Sequence, residues 1–447
     1  MGAPTAQQPQ KEQKHIHILI IGAGLTGLIL AQALRKLQHL ASLNSNNTNT
    51  TTPPPPLITY EIFERDPRAF FRGGGWSLTI HWALTDLQNL LPDEIMQNFE
   101  SCLVNRDAAA AGQAGNFQFL NLCTGERVEA WPIPRGAASR VSRERILELL
   151  MRGVDVRWSK HLTSLDFSHP SSVTATFADG SQAQGNLVIG CDGARSAVRR
   201  TLCATTWQNN RLPVRLLGLR VKFPLAKVAK CLAIDPHFFQ GGDPLSNVYF
   251  WFSFIHLPRA VDVEGKGEEE EYATCQMMVS WPYSGEAADE MPETQTARRE
   301  RIRQLATNWN ETFRDLVYSI PETTELREIV LEDWPPVQGR WDNHNGRVTL
   351  VGDAAHCMTM FRGEAANHGV IDVSHLIKTC FPTTANTETM QPTRSCDLAQ
   401  AVKSYEEEMI TRTFPAVLKS RQACLDANNF ASVNKESPLI AKRAMKE

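Results

Sequence analysis

Apolar residues crowd into a run of strand length at His15–Ile21 (HIHILII), which ends at the glycine-rich GAGLTG. The stretch after it, LILAQALRKL, carries its apolar positions at helical spacing, so the chain opens with a predicted strand, tight turn and helix. A second strand is predicted at LITYEIFER, from Leu57. Between helix and strand, residues 42–56 (SLNSNNTNTTTPPPP) are polar, repetitive and proline-rich, the composition of a disordered insertion. Further along, Phe117–Asn121 reads as a strand and SRERILELLMRG as a helix from Ser142. Val154–Trp158, Leu162–Phe167 and Val173–Phe177 alternate as strands do, with Asp179-Gly180 as a turn, and Leu187–Ile189 is a short buried strand. From Val214 to Trp281 the pattern is β-rich, with LLGLRVKF, VYFWFSFIHL and YATCQMMVSW as its strands. Residues 294–317 predict a helix, RVTLVGD a last strand, and most of the remainder to Met445 is predicted helical.

The 447 residues are 42% hydrophobic, enough for a large core divided over two or three domains. The 46 basic and 49 acidic residues leave a formal charge of −3 and form no basic stripe, which argues against nucleic acid as a partner. Glu268–Glu271, the longest charge run, predicts a solvated loop. No apolar stretch reaches the roughly 18 residues of a membrane span, and the polar start MGAPTAQQPQKEQKHIH lacks the apolar centre of a secretory signal. Ten dispersed cysteines, with no CxxC pair and no Cys/His metal spacing, predict buried reduced thiols, no metal site and a cytoplasmic protein.

Three constellations carry chemistry. In Gly22-Ala-Gly24-Leu-Thr-Gly27 the first glycine turns the chain, the second lets backbone approach a pyrophosphate and the third lets helix and strand pack closely, while the helix start faces the anion. The ribose hydroxyls of such a ligand need an acid at the end of the second strand, and Glu64 stands there, displaced along the chain by the 42–56 insertion. A carboxylate at that place suits FAD or NAD and disfavours a 2′-phosphate. The second constellation, LVIGCDGARS, runs a buried strand into a tight turn at Asp192-Gly193. The third, VTLVGDAAH followed by MTMFRGEAANHG, places Asp353 after a buried strand, where it can bond a ribityl hydroxyl. There Gly363 and a helix starting near Ala365 can aim backbone N–H groups at the anionic edge of a flavin.

In this order and at these distances, GAGLTG, CDGARS and GDAAH with RGEAANHG resemble the three fingerprints of the single-component FAD-dependent aromatic monooxygenases, the para-hydroxybenzoate hydroxylase-like family. The MTMFRGEAANHG variant is most similar to hydroxylases of fungal polyketide pathways. The resemblance runs from about residue 15 to 420 apart from the insertion. It implies an α/β fold, in which a Rossmann-like FAD domain of glutathione-reductase type (14–80, 136–205 and 335–447) is interleaved with a β-sheet substrate domain (81–135 and 206–334), with helices at the C-terminal end.

Carried over residue by residue, the resemblance gives Gly22, Gly24, Gly27 and Glu64 the ADP half of FAD, Gly75 a close approach to the flavin and Arg143 a contact near the pyrophosphate. Asp192 falls in a motif tied to both FAD and reduced nicotinamide, Asp353 matches the ribityl ligand, and Gly363 and Ala366 lie where a helix start faces the ring. Two departures bear on the ring's front face: Met360 stands where the family often has proline, and Ala365-Ala366 where it usually has a glycine.

The implied reaction is hydroxylation of an aromatic or polyketide-type small molecule by O₂, through a C4a-hydroperoxyflavin, with NADPH or NADH as reductant, in a monomer or homodimer. The protein's part is positioning, exclusion of water and tuning of charge. Arg220 and Tyr249 lie on strands where related hydroxylases place an arginine and a tyrosine, and are the candidate catalytic residues; His81, after the GGGWSL turn, is a further one. The aromatics Tyr249, Phe250, Trp251, Phe252, Phe254 and Trp281 either line an apolar pocket or pack a sheet against helices. Rival readings are Baeyer–Villiger or other flavin oxygenation on the same scaffold, and a non-catalytic flavin-binding protein. A flavin halogenase fits less well, since no WxWxIP segment occurs.

Overall fold

The structure, a computed structural model, describes residues 15–45, 57–73, 75–259, 271–382 and 397–443. Its first layer is a five-stranded parallel sheet in the order Val348–Leu350, Leu187–Gly190, His15–Ile21, Leu57–Phe63, Val156–Arg157. Strands covered on both faces read as continuous apolar runs, and the side chains of Ile18–Ile21 and Leu187–Ile189 are buried accordingly. The helix Leu25–Ser45 packs on this sheet, as do helices Arg143–Met151 and Ala365–Cys380.

The register aligns the strands at their carboxyl ends. Ile21 is paired with Phe63 on one side and Gly190 on the other, and Gly190 with Leu350. The residues that follow, Gly22, Glu64, Cys191 and Gly352, therefore emerge along a single edge, where an open parallel sheet binds its ligand.

The second layer is a seven-stranded sheet in the order Arg327–Glu328, Val214–Pro224, Tyr272–Pro282, Tyr249–His256, Phe238–Gly242, Asn116–Asn121, Arg127–Pro132. It is antiparallel except where Phe238–Gly242 runs alongside Asn116–Asn121. Alternation divides the aromatic cluster between its two faces. Phe250, Phe252, Phe254 and Trp281 pack with Trp309 and Phe313 on one side, while Tyr249 and Met278 turn to the other, toward Phe361. A two-stranded ribbon, Ser77–Ile80 with Ser139–Ser142, bridges the layers.

Several elements differ from the sequence-based expectation. The first helix continues to Ser45, four residues into the segment read as an insertion; residues 46–56 lie outside the described residues, as do Glu268–Glu270 of the charge run. The helix expected over 294–317 is two helices, Gln295–Leu305 and Glu311–Tyr318, because the Asn310 side chain accepts from Thr312 N–H and starts a new helix. The last helix, Leu398–Ala427, stops far short of Met445, at Asn428-Asn429. The two layers also interlock: Leu87, Leu90 and Ile95 join the core of the parallel sheet, whereas Ala423, Cys424, Ala427 and Leu439 pack beneath the antiparallel one. Among the described residues, no helix is long and apolar enough to cross a membrane.

Candidate active site

Two cavities open at the carboxyl edge of the parallel sheet, one of about 410 Å³ and one of about 460 Å³. Gly24, Trp76 and Arg143 line both, so the two form one trough with a neck at these residues.

At the first cavity the glycine turn is built as its sequence requires. Gly22 has a φ of +107°, and a Cβ there would sit 2.5 Å from the Cys191 carbonyl oxygen. A Cβ on Gly27 would sit 2.0 Å from the Gly22 oxygen, so only glycine lets the helix start this close to the turn. Gly24 has open space on its Cβ side, the cradle a pyrophosphate needs. Glu64 accepts from Ala23 N–H at 2.9 Å and Asp66 N–H at 3.1 Å, which fixes its carboxylate at the rim. Gly75, with a φ of +74°, faces the Arg143 side chain, whose guanidinium forms no hydrogen bond with any described residue and is left for a ligand. Burial, and then the charge of Arg72, lower the Arg143 pKa.

At the second cavity, Asp353 follows the strand Val348–Leu350 at the start of a short helix, Asp353–His356. Its carboxylate is exposed along the cavity, and partial desolvation by the cavity walls raises its pKa. The turn before it is held from behind: Asp372 accepts from Gly352 N–H at 2.8 Å, His356 Nε2 at 2.6 Å and Arg412 at 2.7 Å. Gly363, at a φ of +64°, Ala365 and Ala366 line the same cavity, and no side chain caps the helix that begins there. The departures at Met360 and Ala365-Ala366 thus fall on the cavity wall. Asn367 locks the corner to the ribbon, accepting from His81 N–H at 2.9 Å and donating to Thr79 O at 3.0 Å.

Six aromatic side chains form much of the remaining wall: Trp76, Phe117, Trp131, Phe238, Tyr249 and Trp251. Tyr249 donates to Gln240 Oε1 at 2.8 Å, and burial pushes its phenol far above the usual range, so the hydroxyl is a neutral positioning group. Burial pushes His81 down to about 4, so it stands neutral beside Gly363. The unfolded chain binds that proton near pH 6.5 and the folded chain only near 4, so stability falls as pH drops through this window. His81→Asn should remove one proton's worth of the slope, about 1.4 kcal/mol per pH unit. Denaturant titrations from pH 7 to 4 read this directly; an unchanged slope would contradict it.

Two expected site residues stand elsewhere. Arg220 does not enter the second cavity. Its strand, Val214–Pro224, lies one from the sheet's edge, and the side chain lines the first cavity, paired with Glu144 at 2.8 Å and 39% exposed. Asp192 lines neither cavity. Its carboxylate accepts from Ser196 Oγ at 2.5 Å, Ala197 N–H at 2.6 Å and Val198 N–H at 3.2 Å, and so holds the start of helix Ala197–Leu202 while its neighbour Gly193 reaches the cavity. Conversely, sequence reading passed over Arg140, Arg443, Gln240 and Asn367, which the fold brings to the second cavity or its wall. For Arg140 the available signal was an arginine in a strand ahead of a helix, SRVSRERI, which marks no site by itself.

The family model for the FAD binding domain matches residues 139–380. A chain of Arthroderma benhamiae named as a probable FAD-dependent monooxygenase is 42% identical over 437 residues, which cover 96% of this chain and 95% of the relative. The FAD-dependent monooxygenase tazP of Aspergillus terreus is 42% identical over 379 residues, 83% of this chain and 91% of that one. Among solved structures, 2,6-dihydroxypyridine-3-hydroxylase from Arthrobacter nicotinovorans shares the fold with a TM-score of 0.68 at 18% identity, over 98% of this chain and 99% of its own. An open glycine cradle, a fixed rim carboxylate, an unspent arginine at the neck and a cavity-facing aspartate are a donor set that fits FAD. The chain belongs to the FAD-dependent monooxygenases that carry this FAD binding domain.

Proposed function

We propose that the protein hydroxylates an aromatic small molecule in the 460 Å³ cavity, using NADPH or NADH and O₂. One observation carries the reading: the aromatic-walled cavity meets the cofactor trough at the neck Gly24, Trp76 and Arg143 and also contains Asp353, Gly363 and Ala366. When bound, FAD supplies the redox chemistry, taking a hydride from the nicotinamide and activating O₂ for transfer of one oxygen atom.

The chain's own residues bind, orient and exclude water. Gly22 and Gly27 shape the turn, Gly24 admits the pyrophosphate, Glu64 takes ribose hydroxyls and Arg143 neutralises phosphate charge at the neck. Asp353 takes the ribityl chain, and the helix starting at Ala365 offers N–H groups to the flavin edge. Tyr249, pinned by Gln240, presents its hydroxyl oxygen to a substrate O–H. Arg220 belongs to the adenosine end in this reading, not to the substrate. The related dihydroxypyridine hydroxylase, named for an electron-rich ring as substrate, supports the substrate class.

Purified protein should be yellow or take up FAD. With FAD bound, phenolic compounds should stimulate NADPH oxidation and gain one oxygen atom by mass. A folded chain that cannot be reconstituted with FAD would overturn the proposal. An inserted ring oxygen, in place of a new hydroxyl, would move it to Baeyer–Villiger chemistry. Glu64→Ala should weaken FAD binding by roughly tenfold or more, the usual loss on removing an ionised hydrogen-bond partner; an unchanged Kd would remove Glu64 from the site.

A further inference from the structure

Arg140 sits in the wall of the second cavity, on the strand Ser139–Ser142, and is 8% exposed. Its two terminal nitrogens donate to Thr79 Oγ1 and Ser77 Oγ, each at 2.8 Å. Its guanidinium carbon lies 5.0 Å from the Phe238 ring centre and 5.5 Å from that of Trp251. A guanidinium has five N–H donors; only two of these hydrogen bonds form here, both to neutral hydroxyls, and Nε has no partner. No described carboxylate lies within ion-pair distance of it. The acid that acts on it at longer range is Asp235, whose carboxylate already accepts from the N–H groups of Asn116, His237 and Phe238.

The other charges of this cavity have tasks. Arg362 pairs with Glu364 at 2.7 Å, and Arg443 donates to the carbonyls of Arg362 and Leu439. Asp353 and Arg143 belong to the cofactor trough in the reading above. A buried charge costs several kcal/mol unless something pairs with it. Burial brings Arg140 down to about 9, so it keeps its proton at neutral pH. Its fixed planar fork, aromatic surroundings and missing counter-charge describe a receptor for an oxyanion carried on a ring.

We propose that Arg140 binds the anionic oxygen of the substrate, and that the substrate is an aromatic ring bearing a carboxylate or an ionised phenol. The inference rests on the proposed function, since it takes the second cavity as the substrate's. Arg140 acts there as a specificity-determining residue, and the substrate completes an ion pair that the free protein leaves open.

The test uses the full FAD-loaded chain and titration calorimetry with two matched pairs: 2,4-dihydroxybenzoate against resorcinol, and 4-nitrophenol at pH 8.5 against 4-nitroanisole. An anionic member should bind at least roughly tenfold tighter than its neutral partner, as charge-assisted hydrogen bonds do. Response in the first pair alone assigns a carboxylate, and in the second alone a phenolate. Arg140→Met should erase the preference while melting at or above the wild-type temperature, because it removes an unpaired buried charge. A structural arginine would instead give a lower melting point with the preference intact. Should Arg140→Met fail to fold, Arg140→Lys decides: without the fork it should lose several-fold of the anion preference and none of the neutral ring's affinity. The proposal is overturned if neither anion outbinds its neutral partner, or if the variants keep the preference. Failure to take up FAD would sink the proposed function instead; FAD uptake with NADPH oxidation stimulated by resorcinol, but no anion preference, would sink this inference alone.

Discussion

A Gly27→Ala chain should emerge colourless and with a markedly lower unfolding midpoint. The added carbon would meet the Gly22 carbonyl oxygen at 2.0 Å and Cys191 Cβ at 3.3 Å. The first obstacle is backbone, and it cannot retreat, because Gly22 is itself at a φ of +107° and tight against the Cys191 carbonyl. The helix Leu25–Ser45 would have to lift off the sheet, taking with it the N–H groups that would face a bound pyrophosphate. Overpacking a core costs about 1–3 kcal/mol where side chains can adjust, and a backbone clash belongs at the upper end or beyond. Gly24→Ala is the matched control, since its Cβ would enter open space. It should fold as the parent does and lose only FAD affinity, because the methyl group occupies the cradle. Flavin absorbance per protein and a denaturant midpoint decide both; a yellow Gly27→Ala protein of unchanged stability would refute the argument.

Removing the charge of Asp372 should be as costly, though the residue touches neither cavity. Burial alone would raise this carboxyl, but His356 and Arg412, by charge and by hydrogen bonds, hold it well below the usual range. Asp372→Asn leaves Arg412 with Glu408 as its remaining counter-charge, beside the neutral contact to His368 Nδ1, and offers one acceptor oxygen where two served Gly352 N–H, His356 and Arg412. Breaking a buried pair from one side costs about 3–5 kcal/mol. Because the folded pKa is depressed, the carboxylate's contribution is complete at neutral pH. It is lost only as acid carries the solution below about 3.8, the ordinary value, toward the folded one. Urea unfolding at pH 7.5 should therefore show the full loss. A double variant, Asp372→Asn with Arg412→Met, should recover part of it, since the stranded charge is gone. Equal stability of the single variant and the parent would show that the network does not hold the Asp353 turn.

What could be read from the sequence divides along a physical line. The glycine turn and the turn before Asp353 were legible because Gly22 and Gly352 adopt a positive φ that few residues tolerate, so composition at a few positions reports geometry, and Glu64 was legible as the acid at the end of the next strand. Strand alternation was legible too, but it gives only the face of a strand and not its neighbours. Tyr249 and Arg220 both stand on strands of the same sheet. The strand order sends Tyr249 to the aromatic cavity and Arg220 to the rim beside Glu144. Asp192 carries a local signal with two uses: an acid just ahead of Ser196 and a helix start can also bind the first helical N–H groups, and its hydrogen bonds to Ser196, Ala197 and Val198 do so. Arg140 was beyond reach, since its importance lies in what is missing around it, and that depends on residues from Thr79 to Trp251 meeting in space.

The in-register strand ends have a metric consequence. Glu64 and Asp353 follow strands that stand three places apart in the parallel sheet, with the strand His15–Ile21 and the strand Leu187–Gly190 between them. At about 4.8 Å per strand, the two carboxylates are separated by about 14 Å of sheet width. The β-structure is thus a ruler: if both carboxylates hold the cofactor, as proposed, it must be an extended dinucleotide that bridges this width.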